Sequence, residues 1–273
     1  MIDFKSYNIF KKGSVTFFTA SLFFPSKVRA EVFKLYAFVR VFDDFVDNIP
    51  QQEKEYFDLK AVYLKALNGT LAGNSVVDNF VALQKLRQFP QDQIDAFFSA
   101  MEEDLTGTSY ESLADTERYM YGSAEVIGLL MARIMQLPAE SYHYSQMLGK
   151  AFQYMNFLRD IDEDCLLGRT YIPRSVLQDF GFVALNKEVA HANPDNFKAM
   201  MRSEIKRYRT WMAEARAGFH YIPKRYRVAI EAASDMFDYT IDIIEQNPLA
   251  VFKNKIKPPR YKIIQRAVVH LIT

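Results

Sequence analysis

Two pairs of aspartates are set apart by their spacing: Asp43 with Asp47 and Asp160 with Asp164, each four residues apart. On a helix such residues share a face, with Cβ atoms about 5 to 6 Å apart. The face of the first pair runs back through Arg40, Tyr36, Phe33 and Arg29, and that of the second through Asn156, Gln153 and Gly149. Asn and Gln beside an apolar helix face cost stability unless they bind something. Two such helices facing each other would bring four carboxylates to one cavity, where like charges repel. Mg²⁺ resolves that repulsion, because it is a hard octahedral cation that takes one or two carboxylates and completes its shell with water and phosphate oxygens. Arg40, Arg159 and Arg169 stand close in sequence and suit phosphate by bidentate pairing. The chemistry implied is departure of a diphosphate whose developing charge is neutralised by cations. Spacing alone leaves another possibility open, with Asp43-Asp44 solvated and Asp162-Glu163-Asp164 an acidic surface patch paired with Arg169.

The elements that must carry these faces read as helices. Pro25-Ser26 opens one over 26–49, whose Val28, Val32, Leu35, Val39, Phe42 and Val46 recur at steps of 4-3-4-3-4. The second face lies on a helix over 139–167, closed by Gly168, with Leu148, Phe152, Met155 and Leu158 on its adjacent apolar side. Further helices are predicted over 51–67, 76–88, Pro90 to Leu105, and from Thr108-Ser109 to before Pro138 with Gly122 as a kink. Others run from Asn193-Pro194 to about Gly218, over 223–246, and beyond Pro258-Pro259. No period-2 run, internal repeat or low-complexity linker interrupts them. The expectation is one all-α domain over 1–273.

The 273 residues carry 34 Lys+Arg against 33 Asp+Glu, a net charge of +1, which excludes the basic field of a nucleic-acid binder. With 49% hydrophobic and 15% aromatic residues the chain is no disordered acidic tail. Its ten glycines form no GxGxxG or Walker loop, which argues against a nucleotide fold. His143, His191, His220 and His270 lack zinc spacing. Cys165 stands alone, so no disulfide can form within the chain, and a cytoplasmic setting is expected. No apolar run is long enough to span a bilayer, and the N-terminal stretch lacks a secretory pattern. After Glu245 there is no acidic residue, while Lys253, Lys255, Lys257, Arg260, Lys262 and Arg266 crowd residues 250–273. This tail is either a solvated helix end or a peripheral contact with anionic lipid, worth about 1 kcal/mol per charge near the surface.

Several segments together resemble the squalene/phytoene synthase family. Tyr36-Ala-Phe-Val-Arg40-Val-Phe-Asp43-Asp44-Phe-Val-Asp47 is similar to its first Asp-rich motif. Gln153-Tyr-Met-Asn156-Phe-Leu-Arg159-Asp160-Ile-Asp-Glu-Asp164 is similar to the second, and Gly168-Arg169-Thr-Tyr171-Ile-Pro173 to the segment after it. Gly13-Ser14-Val-Thr16-Phe17 resembles the substrate flap within an N-terminal segment 1–25. Tyr119-Met-Tyr121-Gly122-Ser-Ala124-Glu125-Val-Ile-Gly128 resembles the middle motif, and Met101-Glu-Glu-Asp104-Leu105 the stretch before it. The likeness runs in order from residue 13 to about 180, with a weaker echo at Tyr239 and around Lys253–Lys257.

The resemblance implies an all-α, single-domain helical bundle of the isoprenoid synthase type with a central cavity. Its activity would be a Mg²⁺-dependent (or Mn²⁺-dependent) head-to-head condensation of two prenyl diphosphates through a cyclopropyl diphosphate. By the same resemblance the metal ligands fall on Asp43, Asp47, Asn156, Asp160 and Asp164. Substrate contacts fall on Ser14, Thr16, Phe17, Tyr36, Arg40, Gln153, Arg159, Tyr171, Tyr239 and Lys255, with Tyr36, Arg40 and the four aspartates as the catalytic set. The wording around Ser21–Pro25 and Tyr36–Arg40 is most like a phytoene synthase, which uses geranylgeranyl diphosphate. A squalene or dehydrosqualene synthase using farnesyl diphosphate, with NADPH in the squalene case, is the alternative. A non-catalytic scaffold homologue is a further one, disfavoured by the retained aspartates, and the YAFVR and GRTYIP segments argue against a head-to-tail prenyltransferase or terpene cyclase.

Ionising an allylic diphosphate leaves a carbocation, which needs a dry cavity with electron-rich faces, worth about 0.5 to 2 kcal/mol each. Phe17, Phe33, Tyr36, Phe38, Tyr121 and Phe152 are the candidate walls, with core packing the competing role for each. The family pattern is departed from at three positions. Glu125 stands where a small residue is usual, Gly13 replaces a polar one, and a lysine near 255 replaces an arginine.

Overall fold

The computed structural model describes residues 3–70, 72–107, 109–253 and 255–272. Within them α1 (Phe4–Gly13) and α2 (Val15–Ser21) precede the long α3 (Ser26–Asp47), followed by α4 (Glu53–Leu67), α5 (Ser75–Arg87) and α6 (Gln91–Thr106). Next come α7 (Leu113–Met120), a π-helical turn (Tyr121–Glu125), α8 (Val126–Met135), α9 (Tyr142–Arg159) and α10 (Ile161–Leu166). The chain ends with α11 (Arg174–Asp179), α12 (Lys187–Ala192), α13 (Pro194–Ala217), α14 (Lys224–Gln246) and α15 (Arg260–Ile272). Among the described residues the only extended pairing is an isolated bridge between Ser109 and Thr170. The all-α expectation holds.

Packing follows the apolar stripes. Val28, Val32, Leu35, Phe42 and Val46 of α3 are buried. Phe38 lies flat on Phe80 of α5, with centroids 3.6 Å apart, and close to Phe42, Tyr63 and Phe98. Such aromatic contacts add about 0.5 to 1.5 kcal/mol each beyond burial. The main buried cluster extends from Phe10 to Phe252. Helix α3 packs on α1, α4, α5, α6 and α8, whereas α9 packs on α8, α13, α14 and the π turn. On the polar-aromatic stripes of α3 and α9, Phe33 and Gly149 are used in packing, whereas Tyr36, Arg40, Gln153 and Asn156 stay half-buried.

Four boundaries differ from the sequence expectation. The long helix over 139–167 is interrupted at Asp160 (φ −102°, ψ 17°), although Asp160 N–H still donates to Asn156 O and Asp164 N–H to Asp160 O. Arg159 folds back onto Asp160 in a two-bond pair, and an undistorted helix would hold these neighbours about 100° apart. The segment from 109 starts its helix only at Leu113, because Ser112 and Asp115 exchange the reciprocal bonds of a capping box; Thr108 lies outside the described residues. Gly122 sits in the π turn rather than at a simple kink. Asn193 does not cap α13 with its side chain; its amide donates to Val189 O at the end of α12 instead. The π turn can lie on α9 because residue 149 is glycine: a Cβ there would stand 2.4 Å from Ala124 O.

Candidate active site

The first aspartate face is organised by Arg40. Its guanidinium meets Asp43 at 2.9 Å and Asp44 at 2.5 Å, bonds along one helix that set the cation at the mouth of the Asp pair. Tyr36, one turn earlier, stacks on Phe10 at 3.8 Å, and burial pushes its hydroxyl pKa up. The flap meets this face at Gly13, where a Cβ would lie 2.6 Å from the Tyr36 hydroxyl and 3.2 Å from Arg40 Cδ. The absence of a side chain at 13 is what lets the α1–α2 junction close on Tyr36 and Arg40. Ser14 turns the corner: its Oγ accepts the Phe17 N–H at 3.2 Å and caps α2, with Thr16 half-buried beside it.

The second face is organised by two cations. Arg159 Nε and Nη2 hold Asp160 at 2.7 and 2.5 Å. Lys255, which arrives from the far end of the chain, reaches Asp160 at 3.4 Å and also pairs with Glu163. Asn156 donates to Gln153 at 3.4 Å on the same side of α9. The carboxylate of Asp164 makes no hydrogen bond or ion pair among the described residues.

Arg169 links the first face to the chain just after the second, where its backbone N–H donates to Asp164 O at 2.9 Å. Its Nη1 contacts Asp47 at 2.7 Å, and its Nη2 donates to Val46 O at 2.6 Å and Asp104 O at 3.2 Å. The guanidinium is buried, and its Nε has no hydrogen-bond partner; Asp104 Oδ1 lies 3.8 Å away. Asp104 in turn accepts the hydroxyls of Tyr119 and Tyr171, each at 2.7 Å. The alternative in which Arg169 pairs with an Asp162-Glu163-Asp164 surface patch is not what the fold shows: its direct side-chain ion pair is with Asp47.

The charges interact across the cleft. Burial, then Asp47, holds the Asp43 carboxyl up at about 7 against the pull of Arg40, although its side chain is still 35% exposed. Burial, then Asp160 and Asp47, pushes Asp164 up to about 8. Burial raises Asp104 to about 6, opposed by Arg169 and the two tyrosine hydroxyls. Carboxylates from α3, α6 and α10 thus share one field. Among the described residues no three carboxylates or imidazoles are drawn to metal-ligand spacing; Asp43, Asp47 and Asp160 are each held by a cation. The donors are nonetheless all hard oxygens, and Asp164 has no counter-ion of its own, a set that fits Mg²⁺.

Beyond the charges lies an aromatic wall. Phe17 of the flap approaches Phe152 (5.7 Å) and Phe237 (5.3 Å), and Phe152 stacks on Phe237 at 3.9 Å. Tyr239 packs with Phe17 and Phe152 on a small cluster, its ring covered by Lys262 at 3.9 Å. Tyr36 and Tyr121 are half-buried, consistent with walls. Phe33 and Phe38 are not walls: both are sealed in the core. Tyr171 is also placed differently from expectation, being buried against Phe157 with its hydroxyl on Asp104. The Glu125 charge is met inside the protein by Lys150 at 3.1 Å, itself over the Trp211 ring. Two residues to which the sequence assigned no role are Asp104 and Phe237. Asp104 had a signal: it continues the buried Ile94, Phe97, Met101 stripe of α6, where a lone carboxylate is out of place.

Known proteins resemble this chain in sequence and in fold. A family model described as squalene/phytoene synthase matches residues 10–262. The 15-cis-phytoene synthase of Pantoea ananas is 32% identical over 250 residues, covering 82% of this chain and 76% of its own. That of Synechococcus elongatus is 26% identical over 264 residues, covering 90% and 85%. The presqualene diphosphate synthase of Rhodopseudomonas palustris is 30% identical over 189 residues, 65% of either chain. Among solved structures, a dehydrosqualene synthase in complex with a ligand superposes with TM-score 0.85 at 24% identity, covering 98% of this chain and 94% of that one. At that identity the likeness speaks for the fold.

Proposed function

The chain belongs to the squalene/phytoene synthase family, and from that premise we propose that it condenses two geranylgeranyl diphosphates head to head into phytoene. The observation that carries this reading is the convergence of the two aspartate faces beside an aromatic wall, with Arg169 linking the first face to the chain just after the second. The whole of 1–273 serves as one catalytic domain.

In this reading Asp43, Asp47, Asn156, Asp160 and Asp164 hold Mg²⁺, for which Mn²⁺ is the expected substitute. When bound, the metal neutralises charge on the departing diphosphate. Arg40, Arg159 and Lys255, whose present partners are carboxylates of the same cleft, turn to phosphate oxygens, while Tyr36, Gln153, Ser14 and Thr16 supply neutral contacts. Lysine at 255 brings charge without the planar fork of arginine. Phe17, Phe152 and Phe237 exclude water and face the allylic cation, about 0.5 to 2 kcal/mol for each well-placed ring. Each ionisation breaks one C–O bond and releases one diphosphate. The first joins the two chains and loses a proton as the cyclopropane closes, and the second rearranges that ring and loses another proton to give the hydrocarbon. Tyr239 is the weaker substrate candidate because Lys262 covers its ring; Tyr171 acts at one remove through Asp104.

A second substrate class is supported by the presqualene diphosphate synthase relative: farnesyl diphosphate, with a hydride from NADPH replacing the final proton loss where squalene is formed. Incubation with Mg²⁺ and either diphosphate, with and without NADPH, followed by extraction, separates the two. Phytoene from geranylgeranyl diphosphate without NADPH is expected. A product from farnesyl diphosphate alone moves the assignment to the alternative, and no product from either leaves the scaffold reading. Among the described residues no helix is long and apolar enough to cross a membrane. A cytoplasmic protein with a peripheral lipid contact through 250–273 completes the reading, since the product belongs in lipid.

A further inference from the structure

The flap helix α2 rests on α14 and α15. Its Ala20 is buried in a small cluster with Ala233 and Met236 of α14 and Ile263 of α15. Phe17, Phe152 and Tyr239 pack against that same cluster, so the aromatic wall and the last helix share one support. Ile263 is fully buried there, a branched side chain between two alanines and a methionine. One turn on, Ala267 is buried with Val228 and Ala232, and Phe23 of the flap segment packs against them. Helix α15 thus supports the flap segment at two successive turns.

Charges of both signs fasten the far end of α15. Asp235 of α14 meets Arg216 of α13 at 3.1 Å and His270 of α15 at 2.9 Å, with Arg266 at 3.8 Å. Glu231 lies 3.5 Å from His270, while Asp238 and Asp242 are paired with Arg216 and Arg209 of α13. Beside them a groove of about 410 Å³ opens between α14 and α15, lined in part by Met236, Asp238, Tyr239 and Lys262. Met236 and Tyr239 belong both to this groove and to the cluster that supports Phe17. The cluster is therefore the layer between the groove and the wall.

We infer that Ile263 is a positioning residue: from the last helix it fixes Phe17 and Tyr239 in the wall and keeps the water of the groove out of the site. Its neighbours Ala20 and Ala233 have nothing beyond Cβ with which to fill the space it occupies, so truncation leaves a void or lets α2 shift. The consequence rests on the prenyl cation chemistry proposed above. When the C–O bond to diphosphate breaks, its electron pair leaves with the diphosphate. Water that reaches the remaining cation bonds through oxygen to the cationic carbon and gives a proton to solvent, and the product is a prenyl alcohol. Hydrocarbon formation releases two diphosphates per product, whereas each alcohol releases one and yields no hydrocarbon. The ratio of diphosphate released to hydrocarbon formed therefore reports how dry the wall is.

The test compares the unaltered chain with Ile263→Ala, Ile263→Val and Ile264→Ala, each incubated with Mg²⁺ and the prenyl diphosphate that yields hydrocarbon. Diphosphate, hydrocarbon and alcohol are measured in the same sample. Ile263→Ala is expected to raise the ratio of diphosphate to hydrocarbon at least about twofold, with alcohol making up the difference. Ile263→Val, which removes one methylene, shows a smaller change in the same direction. Ile264→Ala truncates the neighbouring side chain, which is 48% exposed, and leaves the ratio as it was. A second readout needs no turnover. Lys11 and Lys12 stand exposed at the α1–α2 junction, and trypsin is expected to cut there faster in the Ile263 variants because α2 has lost support. If the far-UV spectrum shows Ile263→Ala to be unfolded, Ile263→Val carries both readouts in its place. A parental ratio or a parental trypsin rate in the folded Ile263 variant, or an equal leak from Ile264→Ala, overturns the proposal. An unaltered chain that releases neither hydrocarbon nor diphosphate overturns the prenyl reading instead, and the trypsin comparison then decides the hold of α15 on the flap by itself.

Discussion

Arg169 and Asp47 are 122 residues apart in the chain, and Arg169 Nη1 lies 2.7 Å from Asp47 Oδ1 in the fold. The arginine is buried with only 2% of its side chain exposed, while the aspartate is 41% exposed. One partner is fixed in the protein and the other is presented by it. Because Arg169 also donates to Val46 O and Asp104 O, the end of α3 is tied to the segment after α10.

Removing that tie tests its energetic weight. Arg169→Ala leaves the buried Asp104 without its cation, and breaking a buried pair from one side costs about 3 to 5 kcal/mol. Arg169→Lys keeps the charge but cannot serve Asp47 and the two carbonyls together, so it falls between. Chemical denaturation is expected to rank the three proteins in that order, with turnover of the lysine variant reduced as well. A lysine variant as stable and as active as the parent would separate Asp47 from Arg169.

Tyr171 distinguishes a substrate contact from a support. Its hydroxyl donates to Asp104 at 2.7 Å, and its ring stacks on Phe157 at 4.2 Å. Tyr171→Phe keeps the stack and deletes one donor to a buried carboxylate, which costs about 1 to 3 kcal/mol of stability. Denaturant midpoint and steady-state kinetics, taken together, are expected to show that loss with KM little changed. A KM rise without a stability change would return Tyr171 to the substrate.

How far the sequence reached is visible in these same residues. The faces of Asp43 with Asp47 and of Asp160 with Asp164 were legible because helical period alone puts four-apart residues together. Which distant side chain would close on them was not: Arg169 was adjacent in sequence to the wrong carboxylates, and Lys255 came only from resemblance. The pattern around Phe33 and Phe38 could not separate a cavity wall from a core stack, since both ask for aromatics at helical spacing. Asp104 was readable in principle as a carboxylate on an apolar stripe. Phe237 was not, because its place in the wall depends on how α14 lies against α9. The break at Asp160 likewise coincides with a side-chain pair between sequence neighbours, which periodicity does not report.

The raised carboxyls give stability a pH dependence of definite sign. Asp43 stands at about 7 and Asp164 at about 8, while the unfolded chain releases these protons near about 4. Between those limits the folded form binds more protons, so its stability is greatest at the acid end and falls as pH rises through the folded values. The carboxyls with depressed values, Asp3 and Asp115, lose their contribution only below their ordinary range, outside this window. The melting midpoint in chelator is expected to fall as pH is raised from about 5 to about 8. Mg²⁺ should restore it at the alkaline end and do little at the acid end. A midpoint that rises steadily over the interval in chelator would contradict the assignment of uncompensated carboxylates.

Gly13 offers a sharper test of how the flap closes. A Cβ at this position would lie 2.6 Å from the Tyr36 hydroxyl, 3.1 Å from Tyr36 Cε1 and 3.2 Å from Arg40 Cδ. The tyrosine cannot simply swing aside, because its ring is stacked on Phe10 at 3.8 Å, and Arg40 is held by Asp43 and Asp44. Gly13→Ala must therefore lift the α1–α2 junction or displace both side chains. The global fold should tolerate this, since the position is at the rim of the cleft and half-buried. Catalysis should not, because Tyr36, Arg40, Ser14 and Phe17 all move relative to the second aspartate face. A fall of about tenfold in kcat/KM, equal to about 1.4 kcal/mol of lost transition-state stabilisation, is expected with the melting midpoint nearly unchanged. Full activity in Gly13→Ala would mean that the flap does not need to rest on Tyr36 and Arg40 when substrate is bound.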